Sequence, residues 1–375
     1  MVGSIDIYLP AAPFLMRHFA TSEWMIQLSM MLTPIVASIV GLVFGHWSDT
    51  QGRRPGMLWS LGLFAGGSFA CCLAWNIESF LAFRFFQAIG AGGISVIGLS
   101  VLADMFSGSL YARYMATYSM GYPIMFALAP VVGAYLFEWF SWHANFWFLG
   151  LLSFLLWGIF FKIMPETLEK NGQSSSLSAM FVNFKALSMS KTFMILGICH
   201  SLPVAISAIY SANCSFIFID RFNFSPHAFA YIQLVPVLMN LLGSFIYREQ
   251  VTKWGVAKSI RFGMYLNSAF LVATIFGSSF AELQFPLPII IIMCILNLGL
   301  SCIIASANTK AIECVPDKRG LAAAFLGLLR NGLVAGLVLV VGAFFNGTIV
   351  PVYLGMAILT AILIFLIRPF ARGVS

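Results

Sequence analysis

Long apolar runs alternate with short polar links along this chain. Trp24 to Trp47, Gly56 to Ala74, Leu81 to Asp104, Tyr114 to Phe137 and His143 to Met164 are each close to the length at which a helix crosses the ~30 Å hydrocarbon core of a bilayer. Six more follow: about Phe193 to Ile219, Pro226 to Tyr247, Val256 to Phe280, Pro286 to Ile312, Leu321 to Phe345 and Val350 to Ile367. Ahead of them all, Met1 to Met16 is apolar but short, with Asp6 in its first turns and Pro10 and Pro13 behind it. We expect the first half of that span to lie upstream of Met1. Counting it, the pattern predicts an all-α membrane protein of twelve spans: an N-terminal half over 1–164, a polar linker over 165–192 and a C-terminal half over 193–375. A faint internal echo supports two copies, since the link after span two is basic with Gly52 and the link after span eight, Arg248 to Lys258, is basic with Gly255. The second copy lacks the aspartate.

Composition agrees with this reading and narrows it. The 375 residues are 60% hydrophobic and 9% charged, far from the quarter-charged make-up of a soluble domain. The net charge of +7 is dispersed in ones and twos, so no nucleic-acid surface is expected. Only Arg17 and Arg221 fall in the odd-to-even links, and only Arg84 and Arg330 inside spans. The rest of the 20 lysines and arginines lie in the even-to-odd links, the linker and the tail, which puts both termini in the cytoplasm. The seven cysteines form no CxxC pair, Cys71, Cys72, Cys199, Cys214, Cys294 and Cys302 lie in apolar segments and read as small buried hydrophobes, and no metal-ligand cluster is present. There is no signal-peptide pattern.

Several function classes drop out. The sequence has no GxxxxGK[ST] phosphate loop, HExxH or GxSxG, so neither nucleotide-driven pumping nor hydrolytic catalysis is expected, and no cofactor. Work would come from a gradient, and proton coupling needs a carboxylate whose affinity for protons changes with its surroundings. Asp6 is the one acidic residue well inside a span; the alternative is a hydrated residue at a helix start. Arg84 is a charge within the first turns of span four. Gln87, Ala88 and Ala91 share its face, and Gly90, Gly92 and Gly93 permit close helix approach. Its alternative is an arginine that snorkels to the headgroups. Gln87, His200, Tyr210, Asn213, Gln233 and Asn240 are candidates to line a polar cavity, although read singly each is as well explained by an interhelical hydrogen bond. For Arg330, helix packing is at least as good a reading as a substrate role.

Five stretches together are familiar. The chain resembles the major facilitator superfamily, and within it the twelve-span drug:proton antiporters of the bicyclomycin-resistance (Bcr/CflA) type. Gly45 to Pro55 resembles the cytoplasmic loop motif, with Gly45, Asp49, Gly52, Arg53 and Arg54 at its glycine and charged positions. Arg84, Gln87 and Gly90 are similar to the span-four motif, with Ala88 where many members have glycine. Ala129-Pro130-Val-Val-Gly133-Ala134 resembles a weakened span-five antiporter motif. Asp6-Ile-Tyr8-Leu9-Pro10-Ala-Ala-Pro13 and Pro165-Glu166-Thr167-Leu168 resemble the span-one signature and span-six exit.

The resemblance implies the major facilitator fold, two six-helix bundles with pseudo-two-fold symmetry, and a monomer in a bacterial inner membrane. It implies alternating access, with Asp6 and Arg84 exchanging protons against an amphipathic substrate, drugs included, and Tyr8 among the cavity residues. Asp49, Arg53 and Asp104 would form a latch between halves or between neighbouring helices. A dedicated carrier of one metabolite, such as a siderophore or amino-acid derivative, is the alternative within transport. A sensor that moves nothing is the alternative outside it.

Overall fold

In hydrocarbon a backbone amide or carbonyl must find its partner within its own segment, so a chain of this composition should be helical throughout. The computed structural model describes residues 3–168, 177–280, 286–315 and 319–371, and every regular element among them is a helix. Residues 169–176 of the expected linker, and Lys318 and Arg372 of the basic links, lie outside the described residues.

The chain divides into two compact units, Met1–Met180 and Phe181–Ser375. The first contains α1 (Gly3–Asp6), α2 (Ala12–His18), α3 (Glu23–Gln51), α4 (Arg53–Cys71), α5 (Ile77–Met105), α6 (Gly108–Trp139) and α7 (Trp142–Ile163). Helix α8 (Leu177–Met189) crosses the boundary, and α9 (Lys191–Ser215), α10 (Pro226–Phe280), α11 (Leu287–Glu313), α12 (Arg319–Ala343) and α13 (Ile349–Ala371) follow. Eight helices among the described residues are long and apolar enough to cross a membrane.

Local sequence explains the breaks. The first span is in pieces: α1 gives way to a 3₁₀ turn at Leu9–Ala11 and then to α2, because Pro10 and Pro13 lack the amide protons that would continue one helix. Asn76 caps α5 by accepting from the Ser79 amide at 2.8 Å, while the Ser79 hydroxyl accepts from the Asn76 amide at 3.2 Å. Gly52 alone separates α3 from α4, with φ 111°. Gly255 does the same inside α10, with φ 75°, so α10 is two helices meeting at a turn. Both angles lie where side chains are strained and glycine is not.

Helix α5 forms the centre of the first unit. A Cβ at Gly90 would stand 2.6 Å from the Ser60 carbonyl oxygen on α4, and one at Gly92 would stand 2.7 Å from that of Ala37 on α3. Small residues therefore set these helix spacings, as expected where helix association in a membrane depends on close packing.

Candidate functional site

Arg84 is fully buried in the first unit, which removes the snorkelling alternative. Its guanidinium is surrounded by groups from three elements. Nε donates to the Ser29 carbonyl at 3.3 Å, Nη2 to the Thr33 hydroxyl at 2.8 Å, and Nη1 both to the Ser4 carbonyl at 3.2 Å and to the Gln87 side-chain oxygen. The cation also lies 4.9 Å from the centre of the Tyr8 ring and 5.9 Å from that of Phe146. Neutral oxygens and aromatic faces solvate this charge, so burying it does not require an ion pair.

Its neighbours are fixed in turn. Gln87 donates to Ser68 at 2.6 Å, and Ser68 donates to the Phe64 carbonyl at 2.6 Å. The Ser29 hydroxyl donates to the Ile26 carbonyl at 2.6 Å, so the 2.9 Å bond between Tyr8 and Ser29 has Tyr8 as donor. Thus Tyr8 packs on the arginine and points its hydroxyl into α3.

Asp6 is buried two residues beyond Ser4, and its Oδ2 has no hydrogen-bond partner among the described residues. It is not among the partners of Arg84. The structure therefore brings the helical turn that carries Asp6 to the arginine through the Ser4 backbone carbonyl and not through the carboxylate. Pro130 and Gly133 of the span-five motif are both buried, and a Cβ at Gly133 would run into the carbonyl of Ile7. The glycine thereby lets α6 touch the backbone next to Asp6.

The other cluster is at the Gly45–Pro55 loop. Arg53 pairs with Asp49, donates from Nε to Asp104 at 2.8 Å and from Nη1 to Ser48 at 2.8 Å. Ser48 donates to the Gly45 carbonyl at 2.9 Å. Glu166, beyond α7, accepts from the backbone amides of Arg53 at 2.8 Å and Arg54 at 3.2 Å, first amides of α4 that have no acceptor within the helix. Burial alone would raise the Glu166 pKa, but amide donors from Leu168, Arg53, Arg54 and Thr167 outweigh it and leave the carboxyl below its ordinary range. Thr167 adds a 3.4 Å bond to Asp104. The guanidinium of Arg54 turns away, donating to the Phe161 carbonyl at 2.7 Å.

In the second unit His200 on α9 meets the Ile304 carbonyl of α11 at 3.3 Å. Gln233 donates to Ser211 at 2.6 Å, and Asn213 donates to the Ile209 carbonyl at 2.8 Å. Tyr210 is buried with its hydroxyl unpartnered among the described residues. Asn240 is half-buried, and Arg330 donates to Asn331 at 3.4 Å.

Sequence reasoning missed Ser4, Ser29, Thr33, Ser68 and the capping role of Glu166. Ser29 and Thr33 stand four apart on span two, a spacing that places two hydroxyls on one face. For Ser4, which contributes a backbone carbonyl, no side-chain signal exists.

Among known proteins, the chain is 25% identical over 336 residues to a bicyclomycin resistance protein homolog of Haemophilus influenzae, covering 87% of this chain and 82% of that one. It is 26% identical over 261 residues to the chloramphenicol resistance protein CraA of Acinetobacter baumannii, covering 69% and 62% respectively. The solved structure of the nucleoside transporter NupG superposes with a TM-score of 0.73 at 15% identity, covering 97% of this chain and 96% of that one, a likeness of fold. The family description Major Facilitator Superfamily matches residues 1–337, so the chain belongs to this family of multi-pass membrane transporters, which are not enzymes.

Proposed function

We propose that the protein is a proton-coupled exporter of amphipathic small molecules, antibiotics among them, working by alternating access as a monomer in the bacterial inner membrane with both termini in the cytoplasm. The observation that carries the coupling is the buried Asp6 carboxylate, whose Oδ2 has no hydrogen-bond partner among the described residues, two residues along from the Ser4 carbonyl that meets an arginine already solvated by neutral groups. Such a carboxylate can gain or lose a proton without breaking an ion pair, so each change of charge is felt by the α1 turn and, through Ser4, by Arg84. The export of drugs is supported by the relatives named for bicyclomycin and chloramphenicol resistance. Tyr8, Gln87 and the polar side chains of α9 and α10 are the substrate-facing candidates, and the Asp49–Arg53–Asp104 cluster, extended by Glu166, latches neighbouring helices of the first half. The proton gradient is the energy source, and no cofactor is needed.

The test uses inverted vesicles with an imposed pH gradient and a fluorescent cationic dye or labelled chloramphenicol. Asp6→Asn should be folded and inserted yet show no gradient-driven transport. Wild-type rates in Asp6→Asn, still collapsed by an uncoupler, would remove Asp6 as the carrier.

A further inference from the structure

A cavity of about 930 Å³ runs along the first unit between α4, the start of α5 and α7. Its lining is almost entirely apolar. Gly62 and Gly66 on α4 form the floor: a Cβ at Gly66 would meet nothing within 4 Å, and one at Gly62 would meet only Trp157, at 3.9 Å. One wall is a ladder on α7, where Phe154 stacks on Trp157 at 6.0 Å and Trp157 on Phe161 at 5.3 Å. The groove follows α4 from Pro55 to Ala70, about 22 Å at the rise of a helix, more than the ~15 Å of one leaflet's hydrocarbon.

The loop end of the groove is cationic. Arg54 lies over the ring of Phe161, a lining residue, with Cζ 5.8 Å from its centre. Arg53 next to it is neutralised by two aspartates, but no carboxylate pairs with the Arg54 guanidinium among the described residues, and its buried Nε finds no acceptor there. Lys162, which follows Phe161 in sequence and is exposed, adds a second positive charge to the last turn of α7.

We infer that this groove is a binding site for an anionic phospholipid, with an acyl chain on the Gly62–Gly66 floor and the headgroup phosphate at Arg54 and Lys162. The site differs from the proton and substrate machinery and needs no assumption about what is transported. A second copy of the chain would suit the glycine floor less well. In a bilayer two copies share one orientation, so a symmetric dimer would set Arg54 and Lys162 of each at one level, like charge against like charge.

The experiment is native mass spectrometry of the purified full chain, delipidated and titrated with phosphatidylglycerol or phosphatidylcholine of identical chains. Wild type should retain phosphatidylglycerol in preference to phosphatidylcholine. Arg54→Gln should weaken phosphatidylglycerol about fivefold, and Gly66→Leu, which fills open floor, about tenfold or more for both lipids. Where Gly66→Leu does not purify as a single species, quenching by bromo-acyl phosphatidylglycerol decides. Trp157 should carry part of the quenching in wild type, and Trp157→Phe should lose that part. Equal retention of the two lipids, unchanged occupancy in both variants, a chain-sized mass in place of a lipid, quenching untouched by Trp157→Phe, or competition by free glycerol phosphate as strong as by the lipid would each overturn the inference.

Discussion

Between α3 and α4 the chain turns at Gly52, and between the two helices of α10 it turns at Gly255. Both glycines take a positive φ, so the backbone solution is shared. The surroundings differ. A Cβ at Gly52 would strike the Glu166 carboxylate, while one at Gly255 would meet nothing within 4 Å. Aligned on the glycine, Arg53 and Arg54 of the first loop stand where the second has Val256 and Ala257. The turn itself therefore needs only glycine. What the charges add is a fastening of α3, α5 and the exit of α7 to the start of α4.

Breaking that fastening at its centre should have the largest effect. Arg53→Ala leaves Asp49 and Asp104 without their shared cation, and should cost about 2 kcal/mol, between an exposed pair and a buried one, because Asp49 is 38% exposed. Thermal unfolding in detergent reads it as a lowered midpoint.

The next test sets the two turns against each other. Gly255→Ala should cost at least about 1 kcal/mol for its backbone alone, since φ 75° with ψ 169° is open essentially to glycine, and Gly52→Ala should cost clearly more, because Glu166 must also move. Equal midpoints would mean that the carboxylate contributes nothing to the turn.

Glu166→Gln is expected to be the mildest change, about 0.5–1 kcal/mol, since the amide keeps one acceptor for the helix start but loses the charge. Its pH dependence gives the sign. The folded-state pKa lies below the ordinary 4.5, so the stabilisation is full above that value and is lost as pH falls through the lowered one. The gap in midpoint between wild type and Glu166→Gln should be widest near neutrality and close towards acid.

The helical spans and the charged loop were legible because their signals are local: apolar run length, a glycine where φ is positive, and charges three to five residues apart. Gln87 was legible beside Arg84 for the same reason, since three residues on a helix are neighbours. The other partners of Arg84, on Ser4, Ser29 and Thr33, were not. An arginine can satisfy several donors with carbonyls, and a backbone carbonyl such as that of Ser4 leaves no mark in the side-chain pattern. Glu166 was visible as part of a family-like exit, but its role depends on a contact 113 residues distant in sequence. The roles of His200, Tyr210, Asn213, Gln233 and Asn240 stay where the sequence put them, as candidates whose contacts are mostly helix to helix.

The contact between Gly133 and Ile7 has a consequence for how the two positions tolerate change. Because α6 rests on a main-chain oxygen, residue 7 can vary in identity without altering the contact, whereas any side chain at 133 forces the two segments apart. In a saturation library scored for antibiotic resistance, position 133 should accept almost nothing and position 7 a broad set of apolar residues, although the two touch.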